Sequence, residues 1–218
     1  LSAFNNTPLI IKEEGDDIVF YTNKILCLHG GGSSAEGLKK RQGMKELIEA
    51  LPEYNFEFLD SNVVQADDKG NKVKVWWNDP DDKEKPTEDV EWAKESLEYI
   101  ETHINNKKYY ALLGFSQGAA MVPVFLSYKP EIRFEKVLMF NGYLPTTHNG
   151  LMNTINNAEL NTKALIFLGR NDVFYNLGLQ LKEQFNNSTE IISESAGHDL
   201  PINSDQPAFD KVVNFIKE

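Results

Sequence analysis

The sequence predicts an α/β domain built on a mainly parallel central sheet with helices on both faces. Three observations carry this. Apolar runs without polar alternation at residues 25–28 and 110–113, and the segments KVLMF at 136–140 and KALIFL at 163–168, read as strands buried on both faces. Helical patterns lie between them, the clearest placing Val90, Ala93, Leu97, Ile100 and Ile104 on one face. The length of 218 residues is enough to cover such a sheet on both sides, and with no internal repeat or linker the expectation is one domain over 1–218.

In chain order, two short extended segments at 8–11 and 18–21 flank an acidic turn. The strand at 24–28 ends in His29-Gly30-Gly31-Gly32. Ser33 with Glu36 three residues on predicts a capping box, opening a helix that reaches toward Ala50 and is divided at Gly43. A strand at 55–59 follows. Residues 65–85 are irregular, rich in Asp, Lys and Asn, and carry Trp76 and Trp77; long loops of this kind in a compact domain are usually functional or mobile. Pro86 and Thr87 are expected to start the amphipathic helix. A last strand is expected at 190–193, and Pro207 opens a terminal helix with Phe209, Val212, Val213 and Ile216 on its apolar stripe. Pro123 is the one discord, since a proline in that position removes a helical hydrogen bond.

Composition excludes several classes of function. With 22 basic and 33 acidic residues the net charge is −11, which argues against nucleic acid or an anionic membrane surface as the main partner. No run approaches the roughly 18 apolar residues of a membrane span, and no leader-like segment opens the sequence. The single cysteine, Cys27, sits inside an apolar strand; it forms no internal disulfide and fits a reducing, cytoplasmic setting.

The chemistry centres on Gly114-Phe115-Ser116-Gln117-Gly118, a G-x-S-x-G pattern between an apolar strand and a small-residue helix. A strand that breaks sharply into a helix with serine at the corner is a nucleophile elbow. The flanking glycines leave room for the tight turn, and the helix N-terminus points its free N–H groups toward a developing oxyanion. A serine hydroxyl needs a base, and the base needs an orienting acid, in chain order serine, acid, histidine. Asp172 follows the strand at 163–168 through Gly169-Arg170-Asn171, and His198 follows the last strand through Ser195-Ala196-Gly197. The other histidines are poorer candidates: His103 lies in the amphipathic helix, His148 in a Thr/Asn-rich loop, and His29 precedes the serine. Backbone N–H groups of Gln117 and of the 29–32 loop are the expected oxyanion donors. No metal or cofactor is called for.

The motifs LHG at 28–30, GFSQGAA at 114–120, GRND at 169–172 and AGHDLP at 196–201 together resemble the FSH family of serine hydrolases, and the resemblance spans nearly the whole chain. It implies an α/β-hydrolase fold without a large separate lid domain and a carboxylesterase-type activity. It also implies catalytic roles for Ser116, Asp172 and His198 and oxyanion roles for Gln117 and Gly31. The segment Gly31-Gly32-Ser33-Ser34 departs from the family pattern by its glycine content and is similar to the HGGG of larger esterases. The expected substrate is a small ester with an apolar acyl group, walled by aromatics and apolar residues drawn from Trp76, Trp77, Tyr143, Leu144, Phe174 and Tyr175. An acyl thioesterase or lysophospholipase-like enzyme is the competing reading. A non-catalytic ligand-binding protein on the same fold is the alternative from another class.

Overall fold

The computed structural model describes residues 8–80 and 85–218; the part of the irregular stretch at 81–84 lies outside the described residues. β1 (Leu9–Glu14) and β2 (Asp17–Thr22) pair antiparallel as a hairpin apart from the main sheet. Next come β3 (Lys24–Leu28), helices α1 (Ala35–Lys39) and α2 (Gln42–Ala50), and β4 (Asn55–Leu59). The short strands β5 (Val63–Ala66) and β6 (Lys72–Val75) form a second antiparallel hairpin within the stretch read as irregular. A 3-10 turn, Val90–Ala93, leads into α3 (Lys94–Ile104). The chain then alternates β7 (Ala111–Phe115), α4 (Gln117–Tyr128), β8 (Lys136–Phe140), α5 (Asn149–Asn156) and β9 (Lys163–Gly169). It closes with α6 (Tyr175–Gly178), β10 (Ser188–Ser193) and α7 (Ala208–Lys217).

The six strands of the main sheet run in the order β10-β9-β8-β7-β3-β4, every pair parallel. The central strands read as unbroken apolar runs because alternate residues feed two different cores. Leu112, Val137, Met139 and Ile166 pack with α3, α4 and α5 on one face. Ala111, Leu113, Leu138, Phe140, Leu165 and Phe167 pack with α1, α2 and α7 on the other, where Cys27 is also fully buried as a small hydrophobe. The expected parallel α/β sheet is the architecture observed, and no separate lid is present among the described residues. Nor is any described helix long and apolar enough to cross a membrane.

Three local expectations are corrected. Ser34, not Ser33, caps α1, accepting from the Gly37 N–H at 3.0 Å. The helix after β3 breaks at Lys40 and Arg41 rather than at Gly43; that glycine lies inside α2, where a Cβ would stand 2.3 Å from the Pro201 carbonyl oxygen, so its lack of a side chain answers to packing and not to a break. The amphipathic helix starts later than Pro86, because Thr87 is held in an extended bridge to His148 and only Lys94 begins α3. Helix α4 runs on through Pro123, near which Ser127 Oγ donates to the Pro123 carbonyl at 2.7 Å.

Because all six strands point the same way, the loops that leave β3, β7, β8, β9 and β10 converge on one end of the sheet. The opposite end is closed by α7, whose last carbonyls have no partner within the helix. Buried Lys136 donates from Nζ to the carbonyls of Phe215 and Ile216, and Tyr110 Oη donates to the latter at 2.6 Å. Burial pushes the Lys136 ammonium down to about 8 from 10.5.

Candidate active site

Ser116 stands between the last residue of β7 and the first of α4 with φ 56° and ψ −120°, a left-handed backbone that only a tight corner imposes. Both flanking glycines are sterically required. A Cβ on Gly114 would lie 2.3 Å from the Gly118 carbonyl oxygen, and one on Gly118 2.2 Å from that of Leu28. The Ser116 N–H donates to the Phe140 carbonyl at 3.0 Å, anchoring the corner to β8.

The loops after β9 and β10 bring Asp172 and His198 to this corner. His198 Nε2 is 3.0 Å from Ser116 Oγ, and its Nδ1 is 2.8 Å from Asp172 Oδ2. The carboxylate is enclosed, with 1% of its side chain exposed, and its other oxygen accepts the Phe174 N–H at 2.9 Å. A neutral imidazole that donates from Nδ1 to the carboxylate turns its Nε2 lone pair toward the serine hydroxyl. The ring is held between Phe115 and Phe174, at centroid distances of 5.0 and 5.3 Å. The two loops are also fastened to each other: the Arg170 N–H donates to the Ser193 carbonyl at 2.8 Å and the Asn171 N–H to that of Ala196 at 3.0 Å.

On the other side of the serine lies the glycine loop. The Gly32 N–H is taken by the Lys74 carbonyl at 2.8 Å, whereas the N–H groups of Gly31 and Gln117 have no acceptor among the described residues. The loop is fixed from beneath by His29, fully buried at the end of β3. Its Nδ1 donates to the Gly30 carbonyl at 2.7 Å and its Nε2 accepts the Ser61 N–H at 3.0 Å. That pattern needs a neutral ring, and burial lowers the His29 pKa below its ordinary value of 6.5. The Gln117 side chain accepts the Trp76 N–H at 2.8 Å and donates to the Trp77 carbonyl at 3.1 Å.

Ser116, Gln117, Gly31 and His198 open into a cleft of about 590 Å³. Tyr143, Leu144, Phe174 and Leu177 line one wall, Val73 and Val75 of β6 another, and Asp67, Asp68 and Asp79 also face it. Tyr143 and Phe174 pack ring to ring at 5.9 Å, and burial raises the Tyr143 phenol well above its ordinary value. Trp76 and Trp77 do not line the cleft. Both are buried in the core beneath the 29–32 loop, where Trp76 Nε1 donates to the His29 carbonyl at 2.7 Å. Tyr175 lies off the cleft, its hydroxyl bonded by Arg170 at 2.5 Å. Two contributors went unread in the sequence: His29 as the prop of the glycine loop, and Asn141 at the end of β8. Nothing in the pattern Phe140-Asn141-Gly142 distinguishes it from a turn.

Comparison with known proteins bears on the fold and the family. The carboxylesterase of Mesorhizobium loti superposes with a TM-score of 0.62 at 16% identity, covering 98% of this chain and 99% of that one. Arabidopsis thaliana SOBER1 gives 0.61 at 18% identity over 89% and 97%. These likenesses establish the α/β-hydrolase fold. In sequence, the chain is 29% identical to an esterase of Caenorhabditis elegans over 136 residues, 56% of this chain and 60% of that protein. It is 28% identical to the esterase citA of Monascus ruber over 55% of this chain and 50% of the relative. The matches thus span only 50–60% of those relatives' length. A family model described as serine hydrolase (FSH1) covers residues 19–209, almost the whole chain. The chain belongs to the FSH1 family of serine hydrolases.

Proposed function

We propose that residues 1–218 form one catalytic domain that cleaves carboxylic esters through an acyl-enzyme. The observation that carries this reading is the continuous hydrogen-bonded path from Ser116 Oγ through His198 to the enclosed Asp172 carboxylate. Ser116 Oγ attacks the ester carbonyl while His198 Nε2 takes its proton, and Asp172 keeps the imidazole in the tautomer that makes this possible. The oxyanion accepts from the N–H groups of Gln117 and Gly31, a contribution of about 3–4 kcal/mol per donor in comparable sites. Collapse expels the alcohol, protonated by His198; water, deprotonated by the same nitrogen, then releases the acid and restores the serine.

The substrate is an uncharged ester with an apolar acyl group. Tyr143, Leu144, Phe174 and Leu177 supply the apolar wall. Asp67, Asp68 and Asp79 on the same cleft oppose a polyanionic leaving group such as coenzyme A. The curated relatives carry the names esterase and hydrolase, consistent with this chemistry.

The test pairs covalent labelling with kinetics. A fluorophosphonate probe should label the wild-type chain, and Ser116→Ala should abolish labelling and turnover of p-nitrophenyl esters together. Labelling that persists in the alanine variant rules out Ser116 as nucleophile. Run beside matched acyl-CoA thioesters, the neutral esters should give the higher kcat/KM, and a preference for the CoA series overturns the substrate assignment.

A further inference from the structure

Asp172 and His198 arrive on loops from the sheet-edge side of the serine, and those loops are fastened to each other through residues 170–171 and 193–196. Such a pair can shift as a unit without disturbing its own 2.8 Å contact, and the distance that would change is the one to Ser116. Whatever fixes that distance must join the pair to the strand that holds the serine.

One dipeptide at the end of β8 does this. The Phe140 carbonyl accepts the Ser116 N–H at 3.0 Å. The next residue, Asn141, is 1% exposed and uses both ends of its amide. Its Oδ1 accepts the Gly169 N–H at 2.9 Å, at the root of the loop that carries Asp172. Its Nδ2 donates to the carbonyl of Asp199, the residue after His198, at 2.5 Å. The Asn141 N–H donates to the Phe167 carbonyl at 2.9 Å, and its φ of 49° turns the side chain out of the strand direction, a conformation asparagine tolerates better than most residues.

We propose that Asn141 is a positioning residue that sets the register of the Asp172–His198 pair against Ser116. This rests on the triad reading given above. Asn141 touches neither substrate nor reacting atoms; it acts through the two loops. Losing the bridge lets the histidine drift from the serine, and a misplacement of about 1 Å is enough to cost roughly 100-fold in rate. Substrate binding by the cleft wall is untouched.

The side chain is removed best by Asn141→Gly, because glycine accepts the positive φ. The expected result is a fall in kcat per titrated active site of roughly 10- to 100-fold, with KM changed less than about twofold. The second-order rate of fluorophosphonate labelling should fall in parallel. Retention of kcat within about twofold, or a rise in KM that matches the loss in kcat/KM, overturns the proposal. Should the glycine variant not fold, Asn141→Asp serves instead: it keeps the acceptor for Gly169 and replaces the donor to Asp199 by a carboxylate oxygen that opposes the Asp199 carbonyl. A fall in kcat of at least about fivefold is expected there, and unchanged kcat overturns the proposal. Ser116→Ala separates the two levels. If that variant is inactive while both Asn141 variants turn over normally, only the positioning role fails; if it stays active, the triad reading itself fails.

Discussion

Two regions meet at Ser116 and are built on opposite principles. The corner itself is made of backbone pressed against backbone: a Cβ on Gly114, Gly118 or Gly169 would fall 2.2–2.3 Å from a carbonyl oxygen of the neighbouring segment. The far wall of the cleft is the hairpin of β5 and β6, which stands outside the main sheet, touches the glycine loop through the Ser33–Lys74 bridge, carries exposed Val64, and turns where Gly70 has nothing within 4 Å of an added Cβ. In the function proposed above, the first region positions the reacting atoms and the second presents side chains to the substrate. On that proposal chemistry depends on close approach of main chain, and selectivity on residues that change at little cost to the fold.

That contrast predicts a ranking of effects. Gly118→Ala should be the most damaging, since β3 and the start of α4 must move apart to admit one methyl group. A loss of more than about 3 kcal/mol in urea unfolding is expected, with activity abolished. The matching change on the hairpin, Gly70→Ala, meets only the strain of its φ of 79° and should cost about 1 kcal/mol while leaving kcat intact. Equal costs at the two glycines would remove the distinction.

An intermediate effect comes from His29, which props the glycine loop as a neutral ring. Below its ordinary value of 6.5 the unfolded chain takes up a proton there, while the buried ring in the folded chain resists it because burial lowers its pKa. The unfolded state then binds more protons, so stability falls as the pH drops, by at most about 1.4 kcal/mol per unit from this group. Stability measured from pH 7 to pH 5 should decline more steeply in the wild type than in His29→Gln. Identical slopes would show that the ring is not neutral in the fold.

The smallest effect belongs to the cleft wall. Leu177 is 41% exposed and lines the cleft, so Leu177→Ser should leave the melting temperature where it is. It should lower the octanoate-to-acetate ratio of kcat/KM by about two- to fivefold, the scale of one or two methylene contacts. An unaltered ratio would place the acyl chain elsewhere.

The sequence disclosed the sheet and the corner because both rest on residue types with little freedom. Strands such as 137–140 are apolar throughout since both of their faces are covered, and Gly114 and Gly118 flank Ser116 since no other residue fits. Trp76 and Trp77 misled for a physical reason: aromatic rings in an irregular stretch have the same composition whether they face a ligand or plug the core. Their full burial and the hydrogen bonds to His29 and Gln117 separate the two cases. Gly43 reads locally as a helix break, but its lack of a side chain answers to Pro201, a contact across 158 positions that no local pattern records. Asn141 is hidden for the same reason, as both its partners are remote in the chain.

The order of strands in the sheet also has a consequence in time. Synthesis lays down β3 and then β7 at the centre, after which β8, β9 and β10 are added outward, one beside the last. Ser116 therefore leaves the ribosome 56 residues before Asp172 and 82 before His198, as the numbering gives. In the chemistry proposed here, a nascent chain that stops before residue 198 carries a nucleophile without its base, and one that stops before residue 172 lacks the orienting acid as well. Unfinished copies would be unreactive toward esters, and hydrolytic activity would switch on only when the last edge strand docks.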